Sequence, residues 1–327
     1  MVKGCLSDVT KQLILYLLGI LLLAVAFRAY GVWSHPAVPV GDGDDYHQLA
    51  TRLVEGRGYV NTAGMPTAWR PPAYPVFLAG VYKIGGVSVL KATIVQVILG
   101  GLTVLMLTVL GAMILGWPRA LIAGVIAAVY PALVWLPRLL LSENLSLFLM
   151  LVSLSAIILY LRTSRKIWIV VFGVLCAFNS LVRGGNLFLP MVVALGLFII
   201  WLRNRGAATE GRPYKNSALR DSPWPPHLVA PLLAMAVAFI VTLLPWTIRN
   251  YRVYHHVVPI ATQDGLTLYG SYWPPERNNR LIWGTLPGDE DPAIRTAEQT
   301  GDEVSASTYL NQLTRQRLRE NPGFFFA

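Results

Sequence analysis

Apolar runs of about twenty residues recur through the first three quarters of this chain, and they constrain its fold more than any other feature. A helix needs about 20 mostly apolar residues to cross the hydrocarbon core of a bilayer. Seven stretches meet or approach that length: Leu13–Val32, Val87–Leu115, Leu121–Leu136, Leu145–Leu161, Ile167–Val182, Leu187–Leu202 and Leu228–Trp246. Only 13 % of the residues are charged, against about 25 % in a soluble domain, so there is little polar surface to clothe such helices in water. The composition excludes disorder, a collagen-like repeat and a small disulfide scaffold. The chain reads as an all-α integral membrane protein with about seven transmembrane helices. Leu13–Val32 reads as an uncleaved anchor, because Gly31-Val32-Trp33 is not a small-x-small cleavage site. Tyr74–Ile84 is too short to cross and lies between Pro71-Pro72 and Gly85-Gly86, which suits an interfacial or re-entrant helix.

Basic residues set the orientation. Positive charge collects in short cytoplasmic loops. Arg162, Arg165 and Lys166 follow the fourth stretch, and Arg203, Arg205, Arg212, Lys215 and Arg220 follow the sixth. These loops share a side with Lys3 and Lys11 only if Tyr74–Ile84 does not cross. The expectation is therefore a multi-pass protein of the cell (inner or plasma) membrane with a cytoplasmic N-terminus. Residues 1–246 form a transmembrane module with a first outer loop (34–86) and a cytoplasmic linker (203–226), and residues 247–327 form an extracytoplasmic tail. Trp33, Trp117, Trp135, Trp168, Trp201 and Trp246 fall at stretch ends, where an aromatic belt belongs. The net charge of +10 is then largely a topology signal, and nucleic acid is not an expected partner. Cys5 and Cys176 read as isolated thiols, with no Cys-x-x-Cys pattern or Cys/His cluster.

Within the first outer loop, Asp45–Arg57 has helical spacing. Tyr46, Leu49, Ala50, Leu53 and Val54 make one apolar stripe, and Gly56 and Gly58 end it. Ionisable residues gather on the same predicted side: Asp42, Asp44 and Asp45; Arg70; Arg138 and Glu143; Arg183; Arg249 and Arg252. Carboxylates opposite several arginines suit chemistry on a phosphate-bearing lipid. A carboxylate can deprotonate a hydroxyl, and guanidinium groups can stabilise charge on a departing phosphate. Other readings stay open. Asp44 or Asp45 is placed to cap the helix that follows, Arg138 and Glu143 are spaced to pair with each other, and Arg183 and Arg249 suit snorkelling anchors. Asp42-Gly43-Asp44 is also an Asp-x-Asp triplet able to hold a divalent metal, but it lacks the rest of a calcium loop. His47, His255 and His256 show no ligand spacing.

Four stretches together resemble the GT-C superfamily of membrane glycosyltransferases, in particular bacterial members related to protein mannosyltransferases and aminoarabinose transferases. The first is Asp42-Gly43-Asp44-Asp45-Tyr46 with Leu49-Ala50, Leu53 and Gly56-Arg57-Gly58-Tyr59. The second is Arg70-Pro71-Pro72-Ala73-Tyr74-Pro75, and the third is Leu141-Ser142-Glu143. The fourth is Pro245-Trp246-Thr247-Ile248-Arg249-Asn250-Tyr251 with Val258-Pro259 and Gly265. The resemblance runs from about residue 12 to 275 and implies a polyprenyl-phosphate-linked sugar as donor. It also implies inverting transfer at the outer face to an envelope lipid, glycan or protein, with membrane lipids as surroundings.

By the same resemblance Asp42, through its spacing to Tyr46, is the general base. Arg70 likewise matches the basic residue that contacts the donor phosphate. The gathering of charges at that face, read by itself, adds Arg249 or Arg138 as assistants, with Glu143, Asp44, Asp45, Tyr46 and Arg183 in support. No cofactor is required. Trp69 stands where some relatives carry an acidic metal-binding residue, so no metal site is assigned. Relatives continue through further spans, whereas this sequence ends at Asn321-Pro322-Gly323-Phe324-Phe325-Phe326-Ala327, which reads as a C-terminally truncated or shortened member. The alternatives are a non-catalytic or truncated membrane subunit and a lipid or solute transporter. The latter predicts charges along span interiors or broken helices near mid-bilayer.

Overall fold

A computed structural model describes residues 2–39, 41–209, 226–271 and 291–320. Among these residues the chain is all-α, with a single β-bridge between Val60 and Pro66. Each apolar stretch of the sequence is helical. Four helices are long and apolar enough to cross a membrane: α1 (Val2–Ser34), whose spanning part is Thr10–Ser34, α4 (Val89–Leu115), α7 (Glu143–Thr163) and α10 (Pro226–Tyr254). Between α1 and α4 lie two shorter helices, α2 (Asp42–Val54) and α3 (Ala73–Gly85).

The stretch read as one span over Leu121–Leu136 is broken. Helix α5 (Trp117–Val129) and helix α6 (Pro131–Trp135), which runs on as a 3-10 turn to Leu139, form a pair bent by 54°. Pro131 supplies no N–H to the ladder and disfavours helical geometry at the residue before it. Tyr130 accordingly turns extended, with φ −63° and ψ 120°. Of the next two stretches, α8 (Ile167–Val182) has 16 residues, and Leu187–Leu202 is divided between a 3-10 turn (Gly184–Phe188) and α9 (Leu189–Thr209). Helix α9 continues into the stretch read as a linker (203–226), most of which lies outside the described residues, as do Asn321–Ala327.

The described residues divide into two compact units. The first comprises residues up to Gly58 and Ala73–Leu243; the second comprises Tyr59–Pro72 and the chain from Leu244 onward. In the first unit α4 packs against α1, α5 and α7, and α7 packs against α8. Small residues permit these approaches, as expected where lipid offers no hydrophobic drive between helices. Gly101 of α4 faces Leu21 and Val25 of α1, and Gly173 of α8 faces the Met235 carbonyl of α10. Buried apolar clusters form around Ile20, Ala24, Val104 and Ala128, around Phe172, Cys176, Trp201 and Met235, and around Tyr46, Tyr74, Leu78 and Tyr82, where α2 lies on α3.

The second unit includes α11 (Asp264–Ser271), α12 (Pro292–Glu298) and α13 (Glu303–Glu320). Tyr269, Ile294, Ala297 and Leu310 are its apolar centre. Gly265 of α11 lies directly on Ser307 of α13, and its amide donates to the Ser307 hydroxyl at 3.1 Å.

Candidate active site

Helix α2 carries the three aspartates, and it begins at Asp42 rather than at Asp45. Neither Asp44 nor Asp45 caps it: Gly41, at φ +53°, occupies the cap position, and no side-chain cap bond forms. All three carboxylates fall in the first turn, where the positive end of the helix dipole favours negative charge. The helix ends as the glycines require. Gly56 adopts φ +76°, its amide bonds the Leu53 carbonyl, and the Arg57 amide reaches Arg52, the paired bonds of a Schellman turn.

Packing fixes this helix in the first unit. Tyr46 is buried and meets Tyr74 edge-on at 4.9 Å, and its hydroxyl donates to Ser142 Oγ at 3.4 Å. His47 Nδ1 lies 2.8 Å from the Tyr82 hydroxyl. Gly43 sits so close to the Leu139 carbonyl that a Cβ there would lie 2.6 Å from the oxygen. Asp44 accepts from Gln48 Nε2 at 2.6 Å, and Gln48 in turn accepts from Arg52.

Glu143, at the start of α7, does not pair with Arg138. It forms an ion pair with Arg183, just past the end of α8, and it accepts from the Ser142 hydroxyl. Both partners of that pair keep solvent contact, with side-chain exposures of 34 % and 52 %. A pair of that kind is worth about 0–1 kcal/mol, so it aligns two helix ends more than it stabilises them. Arg183 is thus engaged by a carboxylate rather than acting as a simple anchor. Arg138 donates from Nε to the His35 carbonyl at 2.6 Å and lies over the Trp135 ring at 3.7 Å. Its Nη1 is buried without a hydrogen-bond partner. These contacts bring Asp44, Tyr46, Glu143 and Arg183 to the end of the α7–α8 pair opposite Arg162, Arg165 and Lys166.

Beneath this end lie polar residues that the sequence reading passed over. Gln96 donates to the Tyr74 hydroxyl, and Asn144 Nδ2 donates to both the carbonyl and Oε1 of Gln96 at 2.8 Å. Arg28 is buried within α1 and donates to the carbonyls of Ala24 and Ala128 at 2.9 and 3.0 Å. Ala128 is in the last turn of α5, where a helix end leaves carbonyls without intrahelical partners; Arg28 satisfies one of them. A lone arginine inside an apolar run was the available signal.

The second unit holds Arg70. Its Nη1 donates to Gln263 Oε1 at 2.8 Å, and its carbonyl accepts from the Tyr59 hydroxyl at 2.9 Å. Arg249 is engaged by backbone carbonyls and an aromatic ring. Nη1 donates to the Thr67 carbonyl at 2.7 Å, Nη2 donates to the Tyr59 carbonyl at 3.0 Å, and the guanidinium lies 4.9 Å from the Trp246 ring centre. Its fork therefore grips the backbone on both sides of the Val60–Pro66 bridge. Glu303, unremarked in the sequence reading, accepts from the Thr67 hydroxyl at 2.6 Å and from the Ala68 amide at 2.9 Å. Asp302 caps α13, accepting from the amides of Val304 and Ser305 and from the Ser305 hydroxyl. Desolvation pushes its carboxyl up, but those bonds outweigh it and the net displacement is downward. Among the described residues no three His, Cys, Asp or Glu side chains come together as a metal site.

Residues 69–215 match the model of the dolichyl-phosphate-mannose-protein mannosyltransferase family. The matched stretch includes Arg70-Pro71-Pro72-Ala73-Tyr74-Pro75 and Leu141-Ser142-Glu143, two of the four stretches behind the GT-C resemblance, and that resemblance stands. Asp42 and Arg249 lie outside the match. No curated protein matches the chain.

Proposed function

We propose, with the family match over residues 69–215 as the premise, that this chain is a membrane glycosyltransferase that takes its sugar from a polyprenyl-phosphate donor. The acceptor is an envelope lipid, glycan or protein, and the reaction lies at the outer face of the membrane. Asp42 takes the proton of the acceptor hydroxyl. The hydroxyl oxygen attacks the anomeric carbon from the face opposite the phosphate, and the carbon–oxygen bond to the phosphate breaks with inversion. Its electrons leave on the polyprenyl phosphate, whose charge Arg70 stabilises.

The observation that carries this reading is the coincidence of the family match with the fixed setting of Arg70. Its carbonyl accepts from Tyr59 and its guanidinium donates to the Gln263 amide oxygen, which supports a guanidinium set on a braced segment. A bidentate guanidinium fits a phosphate better than an ammonium does. Glu143 and Arg183 orient the ends of α7 and α8 beside α2.

Membrane vesicles carrying the chain should transfer labelled sugar from a polyprenyl-phosphate donor, with Arg70→Ala losing more activity than Arg70→Lys. Equal transfer by wild type and Arg70→Ala would remove Arg70 from the site. The orientation has its own test. A thiol placed at Ser271 should react with an impermeant reagent from outside, and one at Ser217 should not; the reverse would place the reaction on the cytoplasmic side.

The transporter reading draws on Arg28 and on the bend at Tyr130. Both are accounted for within the fold, because Arg28 donates to the Ala128 carbonyl beside that bend.

A further inference from the structure

We propose that Glu303, the first residue of α13, is a positioning residue for Arg70: it fixes the backbone from which that guanidinium reaches the donor phosphate. The inference rests on the donor reading above, and it concerns a residue well beyond the family match, which ends at residue 215.

Four donors converge on this one carboxylate. Oε1 accepts from Thr67 Oγ1 at 2.6 Å; Oε2 accepts from the Ala68 amide at 2.9 Å and from the Tyr254 and Thr262 hydroxyls, each at 3.1 Å. An ionised carboxylate is acceptor-only, and here one donor meets Oε1 and three meet Oε2. Glutamine keeps the shape but loses the charge and one acceptor oxygen, so with its oxygen on the Ala68 amide its NH₂ meets the Thr67 hydroxyl, which can no longer donate there. Aspartate is too short to reach all four. Thr67, Ala68 and Thr262 are almost inaccessible to water, so donors left unmet there have no solvent partner to replace the carboxylate.

The four bonds join three separate stretches of chain, and two of these lead directly to Arg70. From Thr67 and Ala68 the path runs through Trp69, whose amide donates to Thr67 Oγ1 at 3.0 Å. From Thr262, whose amide donates to the Ala68 carbonyl at 2.9 Å, it runs to Gln263, the acceptor of the Arg70 guanidinium. Glu303 therefore holds both the backbone that carries Arg70 and the backbone that carries its side-chain partner. Its own oxygens are occupied and negative, so it is no phosphate ligand. Its influence on donor binding passes through Arg70. Misplacing a substrate-holding group by about 1 Å can cost about a hundredfold in rate.

The test uses the full chain in lipid nanodiscs, with a photoactivatable polyprenyl phosphate as probe, in wild type, Glu303→Gln, Glu303→Asp, Arg70→Ala and Glu303→Gln/Arg70→Ala. Amide exchange over residues 67–70 needs no donor. It should rise about tenfold in Glu303→Gln, the equivalent of one lost charge-assisted bond, while exchange in α4 and α7 stays unchanged. Probe labelling should fall about tenfold in Glu303→Gln, less in Glu303→Asp, and no further when Glu303→Gln is added to Arg70→Ala. Unchanged exchange at 67–70, full labelling of Glu303→Gln, or an equal loss in both backgrounds would overturn the positioning role, the last because a general structural effect ignores Arg70. Labelling of Arg70→Ala at the wild-type level would overturn the donor reading itself and this inference with it; in that case the exchange data still report whether Glu303 holds the segment. If Glu303→Gln does not fold, Glu303→Asp is read by the same two measurements.

Discussion

Arg249 donates from Nη1 to the carbonyl oxygen of Thr67 at 2.7 Å, across 182 residues of sequence. With its other arm on the Tyr59 carbonyl, it braces the segment that leads to Arg70. Lysine at this position keeps the charge but cannot span two carbonyls with a planar fork. Hydrogen bonds to charged groups are worth about 1.5–3 kcal/mol. Arg249→Lys should therefore lower the melting temperature and the labelling by a polyprenyl-phosphate probe nearly as much as Arg249→Ala does. A lysine variant that behaves as wild type would mean that Arg249 acts through charge alone.

Gly43 and Gly80 make a paired experiment on two neighbouring helices. Replacing a helical glycine by alanine gains about 0.5–1 kcal/mol from backbone propensity. Gly80 in α3 has open space where a Cβ would be, so Gly80→Ala should stabilise the chain by about that amount. At Gly43 the new Cβ would lie 2.6 Å from the Leu139 carbonyl oxygen. Overpacking of that kind costs about 1–3 kcal/mol, which exceeds the gain. Gly43→Ala should destabilise, shift α2 and lower transfer activity, as read by detergent unfolding curves and turnover together. Stabilisation by both substitutions would contradict the packing of α2 on Leu139.

How far these features could be read in advance depends on the range of the forces involved. The spanning helices were legible because each is written in a continuous apolar run, and the Schellman end of α2 was legible in Gly56. The break at Tyr130 had its signal in Pro131, but the stretch around it is apolar enough to read as one helix. Helix α2 begins three residues before the helical spacing that marks it in sequence, and Gly43 lies in that added turn. Its reason for being glycine is a carbonyl nearly a hundred residues away, at Leu139. The same limit hid Glu303. Nothing near it in sequence distinguishes it from the other acidic residues of the tail, and its donors at Thr67 and Ala68 come from the first loop. Arg138 and Glu143 looked like partners by spacing, yet the fold brings Arg183 to Glu143 instead.

Asp302 gives the Glu303 cluster a pH dependence. Its carboxyl is held below the usual carboxylate value, with the bonds from Ser305 and Val304 outweighing desolvation. A lowered folded-state pKa contributes stability that is present above the unfolded carboxylate value of about 3.9 and is lost as pH falls through the folded value. Asp302 is largely exposed, so solvent screens much of this effect. Once the intrinsic pH dependence of amide exchange is divided out, acidification toward pH 3 should leave exchange in the first turn of α13 faster, before it affects α7. Asp302→Ala should show that fast exchange already at pH 7, at a cost of about 0.5–2 kcal/mol for a lost cap. A protection factor in that turn that changes neither with pH nor with the substitution would contradict the capping role.

The central claim is that this chain moves a sugar from a polyprenyl phosphate with Asp42 as the base, and turnover per folded molecule in Asp42→Asn tests it most directly. Asparagine keeps the shape but cannot take the proton. Loss of a general base costs about 10²–10⁴-fold in rate. Asp44 accepts a bond from Gln48 within its own helix, and Asp44→Asn should keep substantial activity. The account predicts that Asp42→Asn inserts in the membrane and labels with the donor probe as wild type does, while transfer falls at least about a hundredfold. Normal turnover by Asp42→Asn would contradict the mechanism at its centre.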